Sequence, residues 1–229
     1  DMKKCILERY ISANYQSYNE MNGDNINDVF VDESKRIWLA NYPTGITVID
    51  YRYENYHWMK HSMGNKQSIV NDQVHAVIED SDGDLWFGTS NGISLYNSGT
   101  GEWHSFLSSF NHQLKDKNHI FITLCEVSPG IIWAGGYTSG IYKINKADLS
   151  VEYFSPYLLS HINMRPDKYI RDMIKDSKGH IWSGGYYNLK CFDLATNSVR
   201  LYPGVSSITA IAEKDSHNMW IGTAMGLYL

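Results

Sequence analysis

The stretch VIEDSDGDLWFGTSNGISLY, Val77 to Tyr96, decides how this chain is read. Three aspartates surround a glycine, a tryptophan follows, and a second glycine-rich patch precedes an apolar run. Taken alone it fits a calcium loop, a phosphate cradle or one unit of a repeat. Aligning the chain on the tryptophan settles the choice. Trp38 lies in INDVFVDESKRIWLANYPTGITVIDY, and Trp133 in IFITLCEVSPGIIWAGGYTSGIYKIN. Trp182 lies in IRDMIKDSKGHIWSGGYYNLKCFD, and Trp220 in ITAIAEKDSHNMWIGTAMGLYL. With Trp86 the spacings are 48, 47, 49 and 38 residues. The stretch is one of five copies.

Every copy parses the same way. A β-rich run such as 74–79 meets a polar turn, then a short strand bearing the Trp, then a Gly-rich turn. A third strand such as 93–96, a second polar turn and a fourth strand such as 103–106 complete the unit. Four antiparallel strands recurring at this period predict an all-β fold, a β-propeller of four-stranded blades. Blades stack face to face, so a middle strand covered on both sides holds a large flat indole. Trp38, Trp86, Trp133, Trp182 and Trp220 are therefore structural, as are Gly88, Gly92, Gly140 and Gly226 of the Gly-rich turns.

The whole chain, 1–229, reads as one propeller region with units at 1–22 (partial), 26–69, 74–119, 120–169, 170–207 and 208–229 (partial). The two ends each contribute a third strand, one too many for a shared closing blade. The expectation is an incomplete ring of about four full blades, whose unpaired edges invite a homodimer.

The bulk properties agree with β structure: 17 Tyr, 7 Trp and 7 Phe stand against 5 Pro, with helical periodicity hard to find. Lys plus Arg is 20 against 25 acids, with no basic run, which argues against a nucleic-acid surface. No apolar stretch of 18 residues spans a bilayer. The polar N-terminus reads as mid-domain sequence cut from a longer protein rather than a signal peptide. Cys5, Cys125 and Cys191 are too few and too scattered for a disulfide scaffold; Cys125 and Cys191, in apolar strand-like runs, read as small buried hydrophobes.

The chemistry-like motifs dissolve on inspection. An EF-hand needs Gly at position six and Glu at twelve, but counting from Asp80 the glycine is fourth and the twelfth residue is Asn91. No Lys-Ser/Thr follows GTSNG, so no phosphate cradle forms. No His/Cys cluster has zinc spacing. The expectation is no metal, no cofactor and no catalytic residue.

EDSDGDLWFGTSNGISLYN closely resembles the two-component regulator propeller repeat: acidic turn, Leu/Ile-Trp-x-Gly-Thr, x-x-Gly, apolar strand. MWIGTAMGLYL fits equally; RIWLANYPTGI departs at the Gly-Thr, while IIWAGGYTSGI and IWSGGYYNLKC keep only the Gly. The resemblance implies the periplasmic half of an inner-membrane hybrid sensor histidine kinase. Such proteins follow the propeller with a β-sandwich, a membrane helix and kinase domains, and many sense oligosaccharides. A lyase-type propeller enzyme and a passive protein-interaction platform are the rivals.

In such a blade, the turn after strand two and the linker after strand four share one rim, where loops vary without disturbing the core. Four residues after each Trp this turn carries Tyr42, Ser90, Tyr137, Tyr186 and Ala224, with Tyr187 beside Tyr186. Tyrosine offers a flat apolar face and a hydroxyl, suited to stacking on a sugar, or else to packing as a lid. ANYPTG and GGYTSG are one residue longer than GTSNG, which is expected to push their rings outward. In the linkers, His119, His161 and Arg165 join the candidate ligand contacts, Arg165 as a bidentate partner for a uronate or sulfate.

Overall fold

The computed structural model describes residues 25–50, 55–109, 118–154 and 168–229. The partial unit at 1–22, Cys5, His161 and Arg165 lie outside the described residues. Among the described residues nineteen strands form five antiparallel sheets, each a meander in chain order. The first sheet is β1 (Ile26–Val31), β2 (Ile37–Asn41), β3 (Gly45–Asp50) and β4 (Asn55–Met59). The second is β5 (Val74–Glu79), β6 (Leu85–Thr89), β7 (Gly92–Tyr96) and β8 (Trp103–Phe106). The third is β9 (Phe121–Ser128), β10 (Ile131–Gly136), β11 (Ile141–Asn145) and β12 (Ser150–Phe154). The fourth is β13 (Ile170–Lys175), β14 (Ile181–Gly185), β15 (Leu189–Asp193) and β16 (Ser198–Tyr202). The fifth has three strands: β17 (Ile208–Asp215), β18 (Asn218–Thr223) and β19 (Gly226–Tyr228). The fold is an all-β propeller with five blades among the described residues, the last of them three-stranded.

First strands of consecutive blades lie side by side, β1 by β5, β5 by β9, β9 by β13 and β13 by β17, so they line the common axis. Four apolar clusters fill the spaces between the five blades, each drawing residues from two sheets. A single blade cannot bury both faces, so packing against neighbours supplies the stability.

The five tryptophans hold equivalent places in second strands, opposite Phe30, Ile78, Cys125, Ile174 and Ala212 of the first strands. Trp38, Trp86 and Trp133 are fully buried; Trp182 and Trp220 are half-buried. The rings meet the fourth strand of their own blade or the next blade: Trp86 stacks on Phe106 at 5.6 Å and Trp133 meets Phe192 edge-on at 5.5 Å. Burying each such side chain contributes roughly 1.5–3 kcal/mol.

The acidic turn serves the tryptophan. Asp80 sits six residues before Trp86; its Oδ1 accepts the amides of Asp82 and Asp84, and its Oδ2 accepts the indole N–H at 2.8 Å. Asp32 with Trp38 (3.0 Å) and Asp176 with Trp182 (2.9 Å) repeat this clip. The third and fifth blades lack it, having Val127 and Lys214 six residues back; Lys214 instead places its ammonium 5.3 Å from the Trp220 ring.

The calcium-like loop already holds a cation. Lys146, from the turn after β11 of the next blade, sets its Nζ at 2.7, 2.8 and 2.9 Å from carboxylate oxygens of Asp80, Asp82 and Asp84. Cys125 is buried, its thiol pushed up to about 12 chiefly by burial. Cys191 departs from the buried reading: it is half-buried, its thiol raised to about 11 mainly by burial.

Candidate functional site

All five Trp+4 positions come to one rim, because each turn is tied by backbone to the start of a first strand. The amides of Tyr42, Ser90, Tyr137 and Ala224 donate to the carbonyls of Asn25, Gln73, Ile120 and Ser207 in their own blades, and the Tyr186 carbonyl accepts from Ser207 of the next blade. Where the motif has Thr, its hydroxyl closes the turn: Thr89 Oγ1 donates to the Gly92 carbonyl and accepts from the Asn91 amide, and Thr223 does the same with Gly226 and Met225. Gly92 has φ +99 and the Phe106 carbonyl stands 2.5 Å from where a Cβ would lie, so only glycine fits.

Tyr42, Tyr137, Tyr186 and Tyr187 are exposed at 37%, 43%, 56% and 46%. Turn length does not order them. Tyr186, the most exposed, sits in a turn that is not lengthened. Two of the four join a ladder the sequence reading missed: Tyr137 meets Tyr169 edge-on at 5.3 Å, and Tyr169 stacks on Tyr186 at 4.2 Å. Stacking occupies one face of Tyr186 and leaves the other outward. Tyr42 stands apart, 6.2 Å from the His75 ring. His119 is an anchor: its Nδ1 pairs with the Leu107 carbonyl at 2.8 Å, and its own carbonyl accepts the Gly92 amide.

The structure adds a second ring of residues inside the tyrosines. Pairing of the first and second strands skips one residue near the start of every first strand: Asn27, His75, Ile122, Arg171 and Thr209. Each skip is a β-bulge, a device that re-aims a side chain and is common beside functional sites. The bulge lies next to the rim turn, since the residues flanking it pair with Asn41, Thr89, Gly136, Gly185 and Thr223, each immediately before a Trp+4 residue. The five bulges therefore crown the axis at the tyrosine end.

Contacts knit this crown to the rim. His75 Nε2 lies 2.8 Å from Ser90 Oγ, and Nδ1 lies 3.5 Å from Asn27 Nδ2. Asn27 Nδ2 donates to the Val74 carbonyl at 3.0 Å, which fixes the amide orientation. Burial first, and then the positive charge of Arg171, hold His75 below its ordinary value and keep it neutral at pH 7. The carboxylates beneath the crown face the neighbouring blades: Asp28 accepts the Val77 amide at 2.9 Å and Asp172 the Ile211 amide at 2.5 Å. Burial is the leading influence on both and raises them above the ordinary 3.8.

The bulges had a sequence signal. Buried apolar residues fall three apart at Val74/Val77, Phe121/Leu124, Ile170/Met173 and Ile208/Ile211, whereas a regular strand requires an even spacing. A groove of about 630 Å³ lies elsewhere, between the fourth and fifth blades, lined by Trp182, Tyr202 and Met219 with the acidic-turn residues Asp176 and His217. Among the described residues no group of three or more His, Cys, Asp or Glu is placed to hold a metal.

Residues 68–91 match the family described as two component regulator propeller, so the resemblance read from the repeats is met there. No curated protein matches the chain. Among solved structures, the chain is similar to the extracellular domains of two hybrid two-component systems from B. thetaiotaomicron. One is 21% identical with a TM-score of 0.78, covering 95% of this chain and 28% of that one. The other is 17% identical with a TM-score of 0.64, covering 93% and 26%. The chain thus spans little more than a quarter of those domains. It is also similar to virginiamycin B lyase from Staphylococcus aureus, at 13% identity and a TM-score of 0.67, over 89% of this chain and 69% of the lyase. At these identities the likeness is one of fold.

Proposed function

We propose that residues 1–229 form one ligand-sensing propeller region in the extracytoplasmic half of a hybrid two-component sensor kinase, responding to an oligosaccharide or another small ligand at the tyrosine rim. The observation that carries this reading is a conjunction in one chain. A regulator-propeller repeat occupies residues 68–91, and the fold is shared over 95% of the chain with an extracellular domain of a hybrid two-component system. On this reading the segment is not an enzyme, lies in the periplasm as part of an inner-membrane protein, and is an arc of a larger ring. Its partners are the adjacent β-sandwich and the membrane-linked kinase domains, with a homodimer through exposed edges. Signalling then requires a ligand that binds two arrangements of these parts with different affinity.

The lyase reading has the shared fold in its favour. The test is a glycan array probed with wild type and with Tyr137→Ala/Tyr186→Ala. Loss of the rings is expected to weaken binding at least about tenfold, the scale of a base–aromatic or sugar–aromatic stack worth about 1.4 kcal/mol. Unchanged glycan binding by the double variant removes the rim from the assignment; no glycan bound by either favours the interaction platform.

A further inference from the structure

The crown has one residue with a fixed positive charge. Arg171 is the bulge residue of the fourth blade, exposed, and makes no ion pair among the described residues. It lies two residues beyond Tyr169, the middle ring of the ladder, and its charge is felt at His75 across the axis. Of the nearby acids, Asp172 feels the Arg171 charge but spends its oxygens on the amides of Met173 and Ile211, and Asp28 accepts the amide of Val77. Asn27 and Thr209, exposed at equivalent bulges, add hydrogen-bonding groups that carry no charge.

We propose that the bulge crown is an oxyanion subsite, with Arg171 as its cation, that takes the carboxylate or sulfate of an acidic sugar while the outward face of Tyr186 packs on a sugar ring. The inference rests on the rim reading and narrows it from oligosaccharides in general to acidic ones. A guanidinium presents a planar fork that pairs two oxygens of such a group. Arg171, exposed and in no ion pair among the described residues, has that fork available, and the tyrosines of the ladder supply apolar contact for the C–H face.

The experiment is calorimetric titration of the 229-residue chain with three probes: tetragalacturonate, its fully methyl-esterified form, and a sulfated galactan tetramer. The proteins are wild type, Arg171→Gln, Arg171→Lys and Tyr186→Ala. The expected result is that wild type binds one or both acidic tetramers at least about tenfold more tightly than the ester. Arg171→Gln loses that preference and Arg171→Lys keeps part of it. Whichever acidic tetramer binds identifies the group as carboxylate or sulfate. An ester bound as tightly as the acids, or a preference that survives Arg171→Gln, overturns the oxyanion subsite. The rim reading then still stands if Tyr186→Ala weakens the ester. If no tetramer binds, the subsite falls, and the neutral glycans of the array decide the rim separately.

Discussion

At the residue scale, the Asp–x5–Trp clip explains why an acidic turn precedes the indole in three blades. Burial pushes the Asp80 carboxyl up, but the Lys146 ammonium, the Trp86 indole and the Asp84 amide together hold it below the ordinary 3.8. A carboxylate depressed in the folded state stabilises the fold fully above 3.8, and that contribution is lost as pH falls below 3.8 through the folded value. Asp80→Asn is therefore expected to cost about 2 kcal/mol at pH 7, the range for hydrogen bonds to charged groups. The cost should shrink between pH 5 and pH 3; urea midpoints at pH 7, 5 and 3 measure it. Lys146→Met leaves three carboxylates facing one another and is expected to cost roughly 3 kcal/mol, as breaking a buried pair does. A midpoint within experimental error of wild type would show that the clasp between the second and third blades adds nothing.

At the element scale, the second-strand glycine two residues after the Trp is where the next blade touches. A Cβ at Gly88 would lie 2.8 Å from the Phe121 carbonyl oxygen, and one at Gly184 would lie 2.7 Å from Ile208 Cγ2. At Gly222 in the last blade the nearest atom is 3.4 Å away. Gly88→Ala and Gly184→Ala are expected to cost about 1–3 kcal/mol by overpacking, lowering Tm by roughly 2–4 °C per kcal/mol for a chain of this size. Gly222→Ala should be milder. Calorimetric melts of the three variants decide, and an equal drop in all would point to backbone entropy rather than blade contact. Blades are also joined by side chains: Glu126 accepts the amide and hydroxyl of Ser81, and Glu213 those of Ser177.

At the scale of the whole molecule, the first and last of the described blades expose apolar side chains. Val29 and Val31 of β1 are 56% and 52% exposed, and Leu227 and Leu229 at the other end 66% and 64%. Unpaired strands with exposed apolar side chains favour association. Sedimentation velocity across a concentration series is expected to reveal oligomers that Val29→Lys with Leu227→Lys disperses. A monomer at every concentration would argue against the homodimer.

The blade period, the strand order and the place of the tryptophans in the second strands were legible in the amino-acid sequence. They follow from local rules: turn residues at fixed offsets, one indole per unit and alternation along short strands. That the Gly-rich turns lie on one rim also followed, since a meander of four strands dictates which turns share an end. The rest arises between blades, where residues distant in the chain meet. Lys146 fills an aspartate loop 64 residues away, Tyr169 joins Tyr137 to Tyr186 from a linker end, and five bulges bring Asn27, His75 and Arg171 to a common mouth. Local pattern cannot specify those meetings, because they depend on how each sheet is placed against the next. Only the packing of sheet against sheet decides which charges are paired, as at Lys146, and which, as at Arg171, make no ion pair among the described residues.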